Sequence, residues 1–538
     1  MAELRALRGP RDPRGLWERR GRRRAARRAW LPPRRWTWVL GGVLTLALIA
    51  GGALAAVTLP PRWACGSLWD SMVERDGECV GVTDGAYRFG FGEEAGNTAP
   101  GDETGRKQAA RTAASFRTVQ ERIERENDRV ADSGKDAVTV ALLTTLTLDG
   151  TSPLTPQRLL RSVEGAYVAQ MRANHGKALG DPAPQIRLVL ANAGSRQQLW
   201  EEPVRTLAGM RDDAAPLVAV TGFAISTSAT RDAARELSER GIPMVSSVAS
   251  ADGLNSRKIP GLIRVTPANT DFAAALRAYA EDRDPKGKAM LVFDRHASDL
   301  HVKSLTRAYK KAFREQIEDI PEQGFDGTTL DEDPSPALFE STVSSACLVK
   351  PDFIPFSGRP ADLEAFLESL EQRACGRQPM KVLFVETGEV VSAERAKRLK
   401  EHRVTVVQAS ASDPDWSPRG DRGEPEGFAG FHGAYARYVP DTGVDEALRN
   451  GYAVGHHDAV MTAVRAARLP YHEAPREKLT PKRVREKLFG LNLSHKVRAA
   501  GGTLSFTVRR GGDPGGKPVP VQEMPPGKGK PPRYTTPK

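Results

Sequence analysis

From residue 137 onward, short apolar runs alternate with stretches that have the periodicity of amphipathic helices. The strand-like runs are Val138–Leu143, Ile186–Leu190, Leu217–Thr221, Met244–Ser246, Met290–Phe293, Phe353–Phe356, Val382–Val385 and Val404–Val407. The helix-like stretches include Arg158–Ala173, Ser226–Arg240, Thr270–Arg283, Asp299–Glu315, Ala361–Gln372 and Asp445–Ala467. Strands that are apolar on both faces and alternate with helices are typical of parallel sheets covered by helices on both sides. A further, terminal strand is predicted at Thr503–Phe506, and this number of strands is larger than one sheet usually holds. The sequence therefore predicts an α/β fold with two doubly wound parallel-sheet lobes.

One apolar segment near the N-terminus is long enough to span a bilayer. Trp38–Leu59 has 22 residues without a charge, and as a helix it would cover about 33 Å, against a hydrocarbon layer of about 30 Å. The thirteen Arg of residues 1–36 precede it, so the positive-inside rule predicts a cytoplasmic N-terminus and an extracytoplasmic remainder. A cleaved signal peptide is the alternative, supported by the small residues at 53–56, but its apolar core normally has only about 7–15 residues. We therefore expect an uncleaved, single-pass transmembrane signal anchor in the cell membrane.

The net charge of +12 is concentrated at the two ends of the chain. Residues 1–36 and 507–538 are strongly basic, and the long stretch between them is slightly acidic. A nucleic-acid partner would need a basic patch on a folded domain, so none is expected. The Arg-rich end is instead expected to set the membrane topology and to contact anionic lipid.

All four cysteines, Cys65, Cys79, Cys347 and Cys375, lie on the predicted extracytoplasmic side, where thiols oxidise. Their spacings match no zinc pattern, and the residues before Cys65 do not favour a lipoprotein. We expect two disulfides, for which three pairings are possible. The pairing between sequence neighbours closes the shortest loops, and a loop of about 15 residues contributes about 3 kcal/mol.

The sequence has no motif that predicts catalysis, a metal or a cofactor. No G-x-G-x-x-G follows a strand, and no G-x-S-x-G elbow is present. Gly511–Lys517 has the spacing of a phosphate-binding loop, but Pro518 stands where Mg²⁺ would need a hydroxyl. His456, His457 and Asp458 are adjacent, and adjacent helical side chains point about 100° apart, so they do not form a metal site. The chain is therefore not expected to be an enzyme.

Two predicted strands end in hydroxyl-rich turns. Leu217–Thr221 leads through Gly222 to Ser226 and Thr227 at the start of a helix, where free N–H groups favour an anion such as a carboxylate. The alternative is that one of these hydroxyls only caps the helix. The strand at Met244–Ser246 leads to Val248 and Ser250, which could also be a plain loop. Because ligands of open α/β sheets lie beyond the carboxyl ends of strands, we expect a ligand site here.

Several segments also carry a family resemblance: VTGFAISTSAT, GIPMVSSVASADGL, LIRVTPANTDFAAALRAYA, MLVFDRHASDLHVKSLTRAYKKAF and GYAVGHHDAVMTAV. Together they resemble the branched-chain amino-acid (leucine-binding) type of ABC-transporter substrate-binding protein, which has the type 1 periplasmic-binding fold. The resemblance covers about residues 137–507. It implies two lobes that are joined by three crossings and close on a small ligand.

The resemblance also implies roles for individual residues. Ser226 matches the hydroxyl that the family uses on the ligand carboxylate, and Val248 and Ser250 match the next backbone and hydroxyl contacts. In the second lobe the chain departs from the family pattern, with Ser298 where an aromatic residue is common and Arg359 where a Tyr is common. The acidic partner of a ligand amine could be Glu386 or Glu389, and Arg295 or Arg359 would suit a more acidic ligand. The predicted ligand-binding residues are Ser226, Thr227, Val248, Ser250, Ser298, Arg359 and Glu386.

The resulting organisation has seven parts. They are an Arg-rich cytoplasmic tail (1–36), the signal anchor (37–60), a Cys-bounded segment with a linker and a charged helix (61–135), the first part of lobe 1 (136–267), lobe 2 (268–411), the completion of lobe 1 with the return crossing (412–507), and a Pro/Gly/Lys-rich tail (508–538). The charged helix, over 109–131, is predicted to be a solvated spacer, and the tail is predicted to be disordered beyond about residue 525.

Two functions are open at this point. The first is an extracytoplasmic, membrane-tethered solute-binding protein for an amino acid or similar carboxylate, which works with ABC permease and ATPase subunits. The second is an extracytoplasmic sensor or protein-interaction module that reuses the same fold with a degenerate cleft. A membrane tether favours the sensor or interaction module, because a tethered solute-binding protein can no longer diffuse freely to capture its ligand.

Overall fold

The computed structural model describes Cys65 and residues 71–91, 103–149, 152–177, 179–296, 298–328, 338–376, 378–420, 423–526 and 533–535. The predicted cytoplasmic tail and signal anchor lie outside these residues. The chain divides at Pro60 into two units, and every described residue belongs to the second. Within the described part, none of the helices combines the length and the apolar character that a membrane span requires.

The strands, in chain order, are β1 (Ser71–Arg75), β2 (Glu78–Thr83), β3 (Ala137–Thr144), β4 (Gln185–Asn192), β5 (Leu217–Gly222), β6 (Met244–Ser246), β7 (Leu262–Arg264), β8 (Val292–Asp294), β9 (Gln323–Phe325), β10 (Ile354–Ser357), β11 (Met380–Glu386), β12 (Val404–Ser410), β13 (Val497–Ala499), β14 (Gly502–Leu504), β15 (Val519–Met524) and β16 (Arg533–Thr535).

The α-helices are α1 (Glu103–Asp132), α2 (Pro156–His175), α3 (Glu201–Gly209), α4 (Ser228–Glu239), α5 (Asn269–Arg283), α6 (Leu300–Ala312), α7 (Arg314–Ile317), α8 (Glu340–Val349), α9 (Pro360–Glu371), α10 (Ala393–Glu401), α11 (Phe428–Tyr438), α12 (Val444–Leu448), α13 (Tyr452–Glu473) and α14 (Pro481–Lys487). Single 3-10 turns lie at Met210–Asp212, Leu488–Gly490 and Leu493–His495.

Lobe 1 is built on a seven-stranded sheet with the order β1-β2-β4-β3-β5-β6-β7. Strands β3 to β7 are parallel, and the hairpin β1–β2 extends the sheet antiparallel to β4. Helices α1, α2, α11 and α13 cover one face, and α3 and α4 cover the other. Strands buried on both faces explain why the sequence reads as continuous apolar runs here.

Lobe 2 repeats this plan with the order β16-β15-β12-β11-β10-β8-β9. Strands β8 to β12 are parallel, β15 extends the sheet antiparallel to β12, and β16 pairs antiparallel with β15. Helices α5 and α6 pack on one face, and α8, α9 and α10 pack on the other. The prediction of an α/β fold with two parallel-sheet lobes is confirmed.

The chain passes between the lobes three times. The first passage joins β7 to α5, and the second runs from Ala411, in the core of lobe 2, to Trp416, in the core of lobe 1. The third follows Lys517, whose ammonium lies 3.8 Å from the Asp458 carboxylate of lobe 1, directly before β15 begins in lobe 2. Arg264, at the first passage, lies 2.8 Å from Asp513, and Gln522, just after the third, donates to Asp413 of the second, so the joining segments are linked to one another.

Three predictions about the ends of the folded part are wrong. The charged helix is no spacer, because α1 buries Phe116, Val119 and Ile123 against lobe 1. The tail beyond about residue 525, predicted to be disordered, contains β16, which pairs with β15 in the sheet of lobe 2. The terminal strand predicted at Thr503–Phe506 is β14, and it pairs only with β13 in a separate two-stranded hairpin.

The four cysteines form two disulfides between sequence neighbours. Cys65 pairs with Cys79, 14 residues away, and Cys347 pairs with Cys375, 28 residues away. The first ties the segment before β1 to β2 in lobe 1, and the second ties α8 to the loop after α9 in lobe 2. The prediction of two disulfides is confirmed, and of the three possible pairings the chain uses the one with the shortest loops.

Candidate ligand-binding site between the lobes

A cavity of ≈ 30 Å³ lies between the lobes, beyond the carboxyl ends of strands from both sheets. One water needs about 10–15 Å³ of such space, so the cavity holds about two. Lobe 1 and the first crossing line it with Ala224, Ser226, Val248, Ser250, Thr266 and Tyr452, and lobe 2 lines it with Phe272, His301, Gly358, Arg359, Pro360, Phe384, Val385, Glu386 and Thr387. Five of the seven predicted ligand-binding residues are therefore brought together.

The lobe 1 wall is made of hydroxyl groups that follow β5 and β6. Gly222 has a φ of +108° at the end of β5, and a Cβ there would lie 2.2 Å from the Leu143 carbonyl oxygen. This close turn directs the chain to Ser226, whose Oγ accepts a hydrogen bond from Ala251 N at 3.3 Å. Since the oxygen accepts, the hydroxyl proton of Ser226 remains available for a ligand oxygen. Ser250 Oγ lies 2.9 Å from His301 Nδ1 of lobe 2.

Two predicted residues lie beside the cavity and do not line it. Thr227 is the N-cap of α4, where its Oγ1 accepts from Thr230 N at 3.1 Å, so the capping alternative describes its contacts. Thr227 also forms a β-bridge with Asp299 of lobe 2. The Ser298 carbonyl accepts from Ser228 N at 3.3 Å, and the side chain of Ser298 is exposed. Thr227 and Ser298 thus belong to a row of backbone contacts that joins the two lobes beside the cavity.

Arg359 enters the lobe 2 wall as half of a buried ion pair. Its Nε and Nη2 donate to Oδ2 and Oδ1 of Asp299 at 2.7 and 2.9 Å. Asp299 also caps α6 by accepting from the N–H groups of His301 and Val302. Burial alone would raise the pKa of Asp299, but Arg359 and these N–H groups hold it below its usual value. The two bonds to Asp299 thus hold the Arg359 guanidinium in one orientation at the cavity.

Glu386 ends β11 and pairs across the cleft with Arg158 in the first turn of α2. One Glu386 carboxylate oxygen lies 3.2 Å from Arg158 Nη2, and the other accepts from Thr387 N at 2.7 Å. The Arg158 guanidinium also lies 5.3 Å from the centre of the Tyr452 ring. Burial opposes the charge of both partners, yet their attraction keeps the pKa of Glu386 below and that of Arg158 above the ordinary value. The two lobes therefore share one buried ion pair at the cavity.

His301 connects the lobes on the opposite side. Besides its contact with Ser250, its backbone N–H donates to the Ser226 carbonyl at 3.2 Å, and its own carbonyl accepts from Asn269 Nδ2 at 2.9 Å. Burial, with the nearby Arg359 guanidinium, lowers the pKa of His301 to about 4, so the imidazole is neutral at physiological pH. In this state one ring nitrogen of His301 accepts and the other donates.

Sequence reasoning missed Arg158, His301 and Tyr452. A signal existed for the first, because Thr155 and Pro156 mark the start of the helix that follows β3 in the chain, and Arg158 lies in its first turn. His301 occupies the first turn after Asp299 in the same way. No comparable pattern marks Tyr452, which reaches the cavity from the start of α13.

Other singled-out side chains lie elsewhere. Arg295 pairs with Asp326 on the exposed surface of lobe 2, and Glu389 pairs with Arg449, so neither lines the cavity. His457 Nδ1 lies 2.9 Å from Asp458 within the core of lobe 1. Within the ranges that the structure describes, no three His, Cys, Asp or Glu side chains are grouped so that they could hold a metal ion.

The comparisons with known proteins agree with this architecture. No protein-family model matches the chain, and no curated protein matches it in sequence. Among solved structures, the leucine-binding protein of Thermotoga maritima is similar with a TM-score of 0.52 at 16% identity, over 74% of this chain and 98% of that one. The branched-chain amino-acid substrate-binding protein of Streptococcus pneumoniae, in complex with isoleucine, has a TM-score of 0.52 at 16% identity, over 75% of this chain and 100% of that one.

A third structure broadens the range of ligands among these neighbours. It is a solute-binding protein of an ABC transporter from Rhodopseudomonas palustris in complex with p-hydroxybenzoic acid, with a TM-score of 0.52 at 14% identity, over 74% of this chain and 96% of that one. Identities this low establish the fold and do not transfer a ligand. The described part of the chain thus has the type 1 periplasmic-binding fold that ABC-transporter substrate-binding proteins use.

Proposed function

We propose that this chain is an extracytoplasmic, membrane-tethered solute-binding protein whose two lobes close on a small carboxylate-bearing ligand. The observation that carries the proposal is the inter-lobe cavity, which Ser226 and Ser250 of lobe 1 line together with Arg359 of lobe 2. Hydroxyl and guanidinium donors are the partners that a carboxylate prefers. Closure would hide the ligand from water, which strengthens each of these contacts.

The walls of the cavity also limit the size of the ligand. With ≈ 30 Å³ free in the closed arrangement, only a short molecule fits without some separation of the lobes. Typical small-molecule pockets measure about 300–1,000 Å³. The proposed ligand is therefore short, or the lobes close less completely around it.

Tethering and partner proteins form the second part of the proposal. The uncharged segment Trp38–Leu59 and the Arg-rich stretch before it support a signal anchor with the folded unit outside the membrane. The chain contains no ATPase motif, so uptake would need separate permease and ATPase subunits. The similarity to a solute-binding protein of an ABC transporter supports such partners.

Ligand-dependent stabilisation tests the proposal. The full chain in detergent is screened by thermal unfolding against short carboxylic acids, amino acids and aromatic acids. A ligand at 100 times its Kd should stabilise the fold by about 2.7 kcal/mol. The double variant Ser226→Ala/Ser250→Ala should lose this effect, whereas Ser228→Ala, at a hydroxyl outside the cavity, should keep it. The proposal is wrong if no compound of any class raises the melting temperature.

A second candidate function is the sensor or protein-interaction module with a degenerate cleft. The specific observation in its favour is that the polar side chains at the cavity already pair with one another across the lobes, as in Arg158–Glu386 and Ser250–His301. Co-purification from detergent separates the two functions. Permease or ATPase subunits support the first, and regulatory or cell-wall proteins without transporter subunits support the second.

A further inference from the structure

We propose that Arg158 is a specificity-determining residue: its guanidinium occupies the side of Glu386 that a ligand amine would need, so the site takes a short carboxylic acid without an amino group. This inference rests on the proposed function and names the substrate class of the same site. The chain's own cation, brought in from the opposite lobe, stands where the cation of an amino acid would bind.

Only one acidic side chain is available at the cavity. Of the described residues that line it, Glu386 alone carries a carboxylate. Asp299, directly behind the wall, has both oxygens bound by Arg359 and accepts in addition from two backbone N–H groups. A buried ammonium needs a carboxylate partner, because an unpaired buried charge is costly. An amine-bearing ligand therefore depends on Glu386.

Glu386 already has hydrogen-bond and ion-pair partners. Arg158 Nη2 lies 3.2 Å from one carboxylate oxygen, and Thr387 N donates to the other at 2.7 Å. The side chains of Arg158 and Glu386 are only 12% and 11% exposed. A ligand ammonium would have to share the carboxylate with a guanidinium of the same sign.

Arg158 is held beside Glu386 by its surroundings. Its backbone N–H donates to Thr155 Oγ1 at the N-cap of α2, which fixes the start of the helix. Its guanidinium lies over the Tyr452 ring at 5.3 Å, a cation–π contact that favours the charged group in place. Moving Arg158 away from Glu386 would therefore break two interactions at once.

Hydrogen-bond donors for a ligand carboxylate remain at the cavity. The bonds of Arg359 to Asp299 use Nε and Nη2, which leaves the two N–H groups of Nη1 for a ligand oxygen. Ser226 accepts from Ala251 N and keeps its own proton to donate. The site thus offers donors to a carboxylate and no uncommitted anion to an ammonium, so it discriminates by repulsion as well as by attraction.

Matched ligand pairs test this inference. Binding to the full chain in detergent is measured by calorimetry for acetate and glycine, propionate and alanine, and 4-methylpentanoate and leucine. Because like charges in one buried site repel, we expect the acid of at least one pair to bind at least about tenfold more tightly than its amino derivative. Arg158→Gln frees Glu386 and should therefore lower the ratio of acid affinity to amino-acid affinity at least about tenfold. Arg158→Lys keeps the positive charge and should retain the preference for the acid.

Arg161→Gln is the matched control. It lies one turn further along α2 and pairs with Glu164, away from the cavity, so the ratio should not change. If the wild-type chain binds amino acids as tightly as the corresponding acids, or if folded Arg158→Gln keeps the ratio, the inference is overturned and the proposed function stands. If no member of any pair binds, and no other acid does, both are overturned together.

Discussion

The two lobes share one sheet topology and differ in the chemistry that they bring to the cleft. Each has five parallel strands in an equivalent order, and each has two antiparallel strands added at one edge. In lobe 1 the added hairpin β1–β2 lies beside the second strand of the parallel set, whereas in lobe 2 the added strands lie beside the last. The extensions thus come from opposite ends of the chain and attach to opposite edges.

At the cleft the contrast is chemical. Lobe 1 lines the cavity with small hydroxyl-bearing residues such as Ser226 and Ser250, and lobe 2 lines it with the ionisable side chains of His301, Arg359 and Glu386. The topology fixes where strand ends converge, and the side chains placed there decide what can bind. Two similar sheets can therefore serve one site with complementary roles, one supplying hydroxyl donors and the other supplying charge.

The largest expected effect comes from the aromatic core of lobe 2. Phe356 is fully buried and stacks on Phe325 and Phe366, with ring centres 5.4 and 5.2 Å away. Phe356→Ala should destabilise this lobe by about 3–5 kcal/mol, because burial is lost and a cavity remains. Hydrogen exchange should accelerate in β8–β12 and leave β3–β5 protected. Equal acceleration in both lobes would show that they unfold as one unit and would break the comparison.

The disulfides give the next effect. Replacing Cys65 and Cys79 by Ser should lower the free energy of unfolding by about 3 kcal/mol, because the closed loop no longer restricts the unfolded chain. Exchange should increase first in the hairpin β1–β2 of lobe 1. The matched change at Cys347 and Cys375 should cost a similar amount and increase exchange at α8 in lobe 2. If both variants lost exchange protection in the same lobe, the assignment of one disulfide to each lobe would be contradicted.

Acid should affect lobe 1 more than lobe 2. Burial lowers the pKa of His456 and His457, both in α13 of lobe 1, to about 4, whereas in lobe 2 the same shift occurs at His301. The unfolded chain takes up these protons near pH 6.5, so stability is full above that pH and falls as the pH decreases toward 4. Between pH 6.5 and 5 each such His should cost about 2 kcal/mol.

Urea unfolding at pH 7, 6 and 5, followed by exchange in each lobe, measures this dependence. His456→Gln cannot take up the proton and should reduce the slope for lobe 1. The interpretation fails if stability is constant over this range or if lobe 2 is the more sensitive.

A smaller effect is expected from the close packing of α2 on α13 in lobe 1. A Cβ at Gly165 would lie 2.2 Å from the Ala453 carbonyl oxygen, so Gly165→Ala should force the helices apart and cost about 1–3 kcal/mol. Gly433→Ala, in the exposed part of α11 with no atom within 4 Å of the new Cβ, should instead stabilise by about 0.5–1 kcal/mol. Thermal unfolding of both variants checks that the two stability changes have opposite signs. A loss of stability in Gly433→Ala would argue against this packing explanation.

The regular parts of both lobes could be predicted from the sequence, and the parts that depend on the approach of distant segments could not. Long buried strands such as β3, β4 and β11 carry an unmistakable apolar run. Strands β7 and β9 have three residues each, too few for any periodicity. The spacer interpretation of α1 failed because charges dominate its composition, although its apolar residues already lie on one helical face.

The candidate site shows the same division. The lobe 1 hydroxyls follow recognisable strand ends, so the sequence alone was sufficient to single out Ser226 and Ser250, which line the cavity. The partners of Glu386 and Arg359 could not be predicted. Arg158 meets Glu386 only when the two lobes meet, and Asp299 lies 60 residues from Arg359 within lobe 2. Opposite charges far apart in a sequence have many possible partners, and only the folded arrangement selects among them. That these residues bind a ligand remains a prediction.

The position of lobe 2 within the chain has a consequence for biosynthesis. Lobe 1 starts the folded unit, yet α13, which covers its sheet, is translated only after the whole of β8–β12, and β15 of lobe 2 is translated later still. A nascent polypeptide therefore has a lobe 1 sheet that lacks α13 on one face and a lobe 2 sheet that lacks the edge strand β15. Premature termination before Tyr452 would leave that apolar face and that unpaired edge exposed, and such surfaces favour aggregation.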